Sequence, residues 1–312
     1  MKPLLAMDVH KASCLVFPCG VQPKIDGVRG LTTEGRFTGR SLKPPENLYT
    51  AQFYSDEAHA WMDGEVAAAD ERDPELCRKT SSVLSTITGE PFTYWHVFDY
   101  LHKHIREAPY KDRHEYLVGH IASQHSRGLC GHVKVVQMQI VKNMAEADAW
   151  EELWLEQGYE GIIYRNLNAS HKEGRSSKVR CELLRKKQFI DGEAMVESIV
   201  EGNENTNEAQ TNELGRTFRT SHLDGKVPNG MVGNLQCRLL ADVEFGGKVI
   251  LQKDQLITVS PGTMTLPQRK HYFEHPEEVV RHVVKYKFFP KGIKDKPRFP
   301  TYQSHRSAVD MS

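Results

Sequence analysis

The chain has 312 residues, enough for two domains that each bury a core. Its composition is that of a globular protein, and its apolar runs are too short to span a membrane. Lysine and arginine total 41, as do aspartate and glutamate, and the resulting net charge of zero argues by itself against a nucleic-acid partner.

Residues 1–23 form a lead-in too small to be a domain. Asp8, His10 and Lys11 interrupt its opening apolar residues, which excludes a secretory signal and points to a cytoplasmic location. Phe17-Pro18 and Gln22-Pro23 are extended dipeptides that deliver the chain to Lys24-Ile25-Asp26-Gly27-Val28-Arg29. A strand over 31–38 leaves that stretch, and Arg40 follows a turn at Gly39. After Pro44-Pro45 comes a strand within 58–69 that ends in Asp63-Gly64-Glu65-Val66-Ala67, then a helix over 74–88 bracketed by Pro74 and Gly89. Residues 92–101, aromatic and β-branched, predict a strand. Helices are expected at 110–124 and 143–157. The second carries Asn143 and Glu146 as a capping box and Ala147, Trp150, Leu153 and Trp154 as an apolar face. Between them 132–141 alternates as one strand, and short strands follow at 160–164 and 182–189.

From Asp191 the character changes. Residues 201–213 are polar and predict a loop. Strand-like pieces at 234–243 and 248–251 lie between glycine-rich turns, and one helix is expected within 273–287, with Pro276 at its start. Short strands with a single helix predict a small β-barrel. The boundary falls near residue 189, giving domains at 1–188 and 189–312.

Charge is segregated along the chain. Residues 56–75 hold eight carboxylates against Arg72, whereas 171–188 hold seven basic residues against Glu173 and Glu182. The segment from Lys285 to Arg306 is also basic, and such segregation suits a cationic face for phosphates. The six cysteines lack paired C-x-x-C spacing, so reduced, mostly buried thiols are expected; Cys14, Cys19 and His10 make a metal cluster conceivable.

Four charged stretches fall at strand ends beside turns: Lys24 to Arg29, Asp63-Gly64-Glu65, Glu160-Gly161-Ile162-Ile163 and Leu183-Leu184-Arg185-Lys186-Lys187. A lysine attacking a nucleotide phosphate needs carboxylates to hold a divalent metal, cations to neutralise the phosphoryl oxygens, and an aromatic face for the base. Glu65 and Glu160 can supply the first, Arg29, Arg40 and Lys187 the second, and Phe98 the third.

This order and spacing resembles the covalent nucleotidyltransferases, most closely the small bacteriophage-type ATP-dependent DNA ligases. The resemblance covers nearly the whole chain. It rests on Lys24-x-Asp26-Gly27-x-Arg29, Asp63-Gly64-Glu65, Phe98-Asp99-Tyr100, Glu160-Gly161-Ile162-Ile163 and Arg185-Lys186-Lys187. It implies an α+β fold: a nucleotidyltransferase (adenylation) domain of antiparallel sheets with helices, then an OB-fold barrel. Asn205 to Glu208, Leu214-Gly215-Arg216 and Pro297 through Arg306 look like parts of that second domain.

The implied reaction begins with attack of Lys24 on the α-phosphate of ATP, giving lysyl-AMP and pyrophosphate. AMP passes to the 5′-phosphate of a nick in duplex DNA, and the 3′-hydroxyl displaces it, in replication, repair or recombination. By the same resemblance Gln22 sits where the base is read, and Ile25, Phe98, Arg185 and Lys187 join the nucleotide site. Arg29 and Arg40 face the ribose or the nick phosphate, and Glu65 and Glu160 hold Mg²⁺, or Mn²⁺ in its place. Proximity to the metal and to Arg29 implies a lowered Lys24 pKa. A monomer is expected, away from membranes. Two departures stand out: Arg185 replaces the first lysine of a K-x-K motif, and no R-x-D-K is evident near the C-terminus, where Arg298 or Arg306 could substitute. The lysine motif alone also admits RNA ligases and GTP-using capping enzymes, and a catalytically silent OB-fold nucleic-acid-binding protein is the alternative of another class.

Overall fold

The computed structural model of the protein describes residues 1–11, 15–293 and 295–306. Cys14, and with it the conceivable metal cluster, lies outside the described residues. The chain divides into two compact units, one from Met1 to Lys187 and one from Gln188 onward.

In the first unit the chain runs β1 (Leu4–Leu5), β2 (Met7–Asp8), β3 (Cys19–Pro23), β4 (Val28–Thr33), β5 (Arg36–Thr38), α1 (Leu48–Phe53) and β6 (Met62–Ala67). It continues through α2 (Leu76–Ser85), β7 (Tyr94–Tyr100), α3 (Tyr110–Ser126), β8 (Val133–Val135), β9 (Gln139–Val141) and α4 (Met144–Glu156). The unit ends with β10 (Gly161–Arg165), β11 (Gly174–Arg175) and β12 (Leu183–Lys187). Two five-stranded sheets form the frame, ordered β2-β12-β10-β3-β9 and β5-β4-β6-β7-β8, and β1 pairs separately with β11.

The sheets are mixed, which corrects the expectation of antiparallel ones: β2 runs parallel to β12, and β8 to β7. Parallel pairing needs a crossover that carries the chain back to the end where its neighbour starts, and between β7 and β8 that crossover contains α3. The strand expected over 31–38 is a hairpin, because Glu34 and Gly35 both take positive φ, 51° and 72°, and turn the chain between β4 and β5. Residues 132–141 likewise form two strands, β8 and β9, that belong to different sheets. β9 itself shows no clean alternation, with Ile140 exposed beside buried Val141, so periodicity does not mark it as a separate strand.

One face of the second sheet packs Phe37, Val66, Trp95 and Val97 against Leu117 and Ile121 of α3 and Leu84 of α2. On the first sheet Val21, Ile162 and Tyr164 pack with Ala147 and Trp154 of α4. Asn143 caps α4 by accepting from the Glu146 backbone N–H at 3.0 Å. Of the expected apolar face of α4, Leu153 is instead exposed, and Glu151 is buried and paired with Lys186 at 2.5 Å.

The second unit runs β13 (Ile190–Asn205), β14 (Ala209–Thr211), β15 (Thr217–Arg219), β16 (Lys226–Leu239), β17 (Val243–Phe245), β18 (Lys248–Leu251), β19 (Leu256–Val259), α5 (Leu266–Glu274), β20 (Val283–Phe289) and β21 (Arg298–His305). Its main sheet is ordered β19-β16-β13-β20-β21, with every ladder antiparallel. No closed barrel is found among the described residues. A single parallel bridge between Ser260 and Thr301 joins the two edges, one bridge where closure needs a ladder.

Two stretches of this unit differ from expectation. The loop at 201–213 is largely strand, since β13 extends to Asn205 and β14 pairs with β15. All three residues of β14 and all three of β15 are exposed, so no apolar alternation marks them. The helix expected within 273–287 lies earlier, as α5. Thr265 and Gln268 form its reciprocal capping box, with Pro267 in the first turn. Pro276 starts only a single 3-10 turn, and 283–289 alternates as strand β20.

The five described cysteines form no disulfide, and all but Cys77 are buried.

Candidate active site

A cavity of about 390 Å³ opens in the first unit. Residues from both five-stranded sheets line it: Gln22, Ile163, Arg165, Leu183, Arg185 and Lys187 from one, Arg29, Glu65 and Phe98 from the other. Gln22, Ile163 and Arg185 stand opposite one another on β3, β10 and β12, a row across the sheet on one face. Lys187 is two residues beyond Arg185 and therefore shares that face.

Lys24 sits on the connection from β3 to β4. Its backbone N–H donates to the Gly161 carbonyl at 2.9 Å, and its own carbonyl accepts from the Glu160 N–H at 3.0 Å. The two motifs are thus stitched together through the main chain. Gly27 is needed because a Cβ there would stand 2.5 Å from the Val66 carbonyl oxygen, so the close approach is to β6. Gly161 has φ of 153°, and a Cβ there would collide with the Lys186 carbonyl.

The Lys24 ammonium lies 2.5 Å from Glu160 Oε2, and Lys187 pairs with the other oxygen of the same carboxylate. Burial disfavours the Lys24 charge, but Glu160, Glu65 and Asp26 outweigh it and hold its pKa above the usual lysine range. The lowered pKa expected from the sequence is therefore not that of the chain alone, where the nearest charges are carboxylates. Lys187 moves the other way, pushed down by burial and by Lys24. Burial works against the Glu160 carboxylate too, yet the two lysines bring it down to about 2. Glu65 is half-buried, with its nearest guanidinium nitrogen 4.0 Å away on Arg29, and loss of water around its carboxylate pushes it up to about 7.

Arg29 donates from Nε and Nη2 to the two Asp63 oxygens at 2.5 and 2.6 Å and reaches the Leu4 carbonyl at 3.2 Å. Its guanidinium also stands 4.6 Å from the Phe98 ring centroid. Phe98 has no partner on β6, because Asp63 pairs with Asp99 and Gly64 with Val97. This bulge aims the ring into the cavity. Arg185 donates to Asp8 at 2.7 Å. Ile25 is buried in the core and touches the cavity, and Arg40 lines it.

The Gln22 amide is fixed at both ends. It donates to the Val136 carbonyl at 3.1 Å and accepts from the Tyr110 hydroxyl at 3.1 Å and from Arg165 Nε at 3.2 Å. Of the residues expected from the sequence, Glu160 alone does not line the cavity; it reaches it through Lys24 and Lys187.

Sequence reasoning missed Arg165, which is 3% exposed, lines the cavity and stands 4.8 Å from the Phe98 centroid. Extending the 160–164 strand by one residue would have put it on the face of Ile163. Leu5 and Ala6 also line the cavity, and nothing in the lead-in signals it. Among the described residues no group of three or more His, Cys, Asp or Glu could hold a metal.

Two mixed sheets enclosing a lysine, its paired glutamate and a set of cations define a nucleotidyltransferase-type ligase fold. A family model for the ATP dependent DNA ligase domain matches residues 18–181, more than half of the chain, and the chain belongs to that family. It is an ATP-dependent DNA ligase, using ATP and acting on nicked DNA. Among solved structures it is similar to the chlorella virus DNA ligase-adenylate, at 23% identity and a TM-score of 0.52, covering 98% of this chain and 99% of that one. It is also similar to a structure from work on Lig E DNA ligases described as binding DNA with a minimal scaffold. There the identity is 18% and the TM-score 0.68, with coverage of 98% and 99%. At these identities the likeness is one of fold. No curated protein sequence matches the chain.

Proposed function

We propose that Lys24 is the residue adenylated by this ligase, within a nucleotide site formed by Gln22, Ile25, Arg29, Arg40, Glu65, Phe98, Glu160, Arg185 and Lys187. The observation that carries this reading is the Lys24–Glu160–Lys187 ion pairing at a cavity lined by Glu65, Phe98 and four arginines. An amine attacks only when uncharged, so the ammonium must give up a proton to water, and drawing its carboxylate partners away as ATP arrives lowers its pKa toward that loss. Arg29, Arg40, Arg185 and Lys187 then face the charge on the phosphates, and Phe98 offers a flat apolar face to the base.

Glu65 and Glu160 suit Mg²⁺ or Mn²⁺. Magnesium is usually held through one or two carboxylates with substrate phosphates and water completing its shell, and Glu65, half-buried on the cavity wall and raised to about 7, lacks full compensation from the cations of the chain alone. When bound, the metal would neutralise phosphate charge and draw the carboxylates off Lys24.

The proposal extends to domains at 1–188 and 189–312, the second an OB-fold variant whose sheet edges meet at Ser260 and Thr301. It extends also to a monomer working in the cytoplasm in DNA replication, repair or recombination. Among the described residues no helix is long and apolar enough to cross a membrane.

The test is covalent labelling. With α-labelled ATP and Mg²⁺ the protein should take up label that survives denaturation, with release of pyrophosphate, and Lys24→Ala should take up none. Labelling of Lys24→Ala would move the nucleophile elsewhere.

A further inference from the structure

The two carboxylates of the proposed site come from different sheets: Glu65 from β6, and Glu160 from the residue before β10. Their spacing therefore depends on whatever joins the sheets near them. The main-chain bonds between Lys24 and the Glu160-Gly161 pair are one such join. A second lies on the far side of Glu160, in the segment that follows β6.

There Glu71 accepts a hydrogen bond from the Tyr159 hydroxyl at 2.7 Å, and its other oxygen lies 3.2 Å from His96 Nδ1. His96 stands opposite Glu65 on the neighbouring strand β7, so the carboxylate of Glu71 bridges the sheet of Glu65 to the residue preceding Glu160. Tyr159 and His96 are buried. The segment that presents Glu71 is itself stiffened. Asp70 accepts from the Arg72 backbone and side chain at 2.9 Å, and Asp73 pairs with Lys79 at 2.5 Å. Its Arg72 carbonyl packs close against Gly158, where a Cβ would stand 3.3 Å away.

We propose that Glu71 is a positioning residue, acting through Tyr159 to hold Glu160 where it can exchange its lysine partners for the metal. The inference rests on the reading of Glu160 as a metal carboxylate. With Tyr159 held at its hydroxyl and Gly161 at its main chain, the backbone of Glu160 is fixed on both sides. Only its side chain is then left to move when ATP and metal enter. Supporting groups of this kind, when removed, cost about 10- to 100-fold in metal affinity or activity.

The experiment compares Tyr159→Phe, Glu71→Ala and Glu71→Gln with the unaltered chain. It measures the single-turnover rate of self-adenylation, the KM for ATP, the melting temperature, and Mn²⁺ affinity by electron paramagnetic resonance with a non-hydrolysable ATP analogue. Tyr159→Phe and Glu71→Ala should each lower the saturated rate and the Mn²⁺ affinity about tenfold, with KM and melting temperature little changed. Glu71→Gln keeps an acceptor oxygen and should recover most of what Glu71→Ala loses. Unchanged rate and Mn²⁺ affinity in Tyr159→Phe would overturn the proposal. So would a rate loss matched by a fall in melting temperature, or Glu71→Gln as impaired as Glu71→Ala. Glu160→Ala is the control for the underlying reading: if it binds Mn²⁺ and adenylates normally, the metal assignment fails whatever the Tyr159 result.

Discussion

Asp99, between the cavity and α3, shows how single buried charges hold this site together. Arg113 donates to both its oxygens, at 2.8 and 3.0 Å, and Arg165 approaches within 3.9 Å. All three side chains are almost wholly buried. Burial alone would raise the Asp99 pKa, but Arg113 and Arg165 outweigh it and hold it below the usual carboxylate range. Removing one member of such a group leaves the other charges uncompensated, so Asp99→Asn should lose about 3 kcal/mol in urea unfolding. The pH dependence follows from the sign of the shift. A depressed carboxylate contributes stability above its unfolded pKa of about 3.9 and loses it as pH falls through the lower folded value. Between pH 5 and the acid limit the gap between the unaltered chain and Asp99→Asn should therefore narrow in urea titrations. An unchanging gap would mean that Asp99 titrates alike in the folded and unfolded chains.

At the scale of elements, strand edges and caps carry the information that periodicity lacks. The bulge opposite Asp63 and Gly64 turns Phe98 into the cavity, and a continuous aromatic strand gives no sign of it. In the second unit the start of α5 is specified by chemistry: Gln268 Oε1 accepts from the Thr265 N–H at 2.9 Å, and Thr265 Oγ1 accepts in return from the Gln268 N–H at 3.4 Å. Thr265→Ala should cost about 1 kcal/mol, the worth of an N-cap, seen as a lower urea midpoint for the second unit with adenylation unaffected. The capping pattern was legible in the sequence at Asn143 and equally so at Thr265. Pro276 drew the helix assignment away because proline also opens turns.

For the whole molecule the net charge of zero hides the feature that matters to a DNA enzyme. The basic residues of 171–188 and of the segment from Lys285 to Arg306 are kept apart from the acidic run at 56–75. Binding to nicked duplex DNA should therefore depend steeply on salt. If about six phosphates are neutralised, affinity should fall on the order of 10³-fold between 50 and 200 mM salt, measured by fluorescence anisotropy. A shallow slope would place few cations on the DNA.

The residues of the candidate site were legible along the chain, because motifs at strand ends keep their residue types and spacing whatever the surrounding packing. Lys24, Glu65, Phe98, Glu160 and Lys187 could be named from the sequence, as could most strands and helices of the first unit. What those groups meet depends on the packing of the two sheets. The tertiary structure brought Leu5 and Ala6 of the lead-in to the cavity, closed Arg165 and Tyr110 around Gln22, and set the Lys24 ammonium against carboxylates where a lowered pKa had been expected. The physical reason is that charge and hydrogen-bond environment depend on distances across two sheets, whereas a motif records only neighbours along one chain.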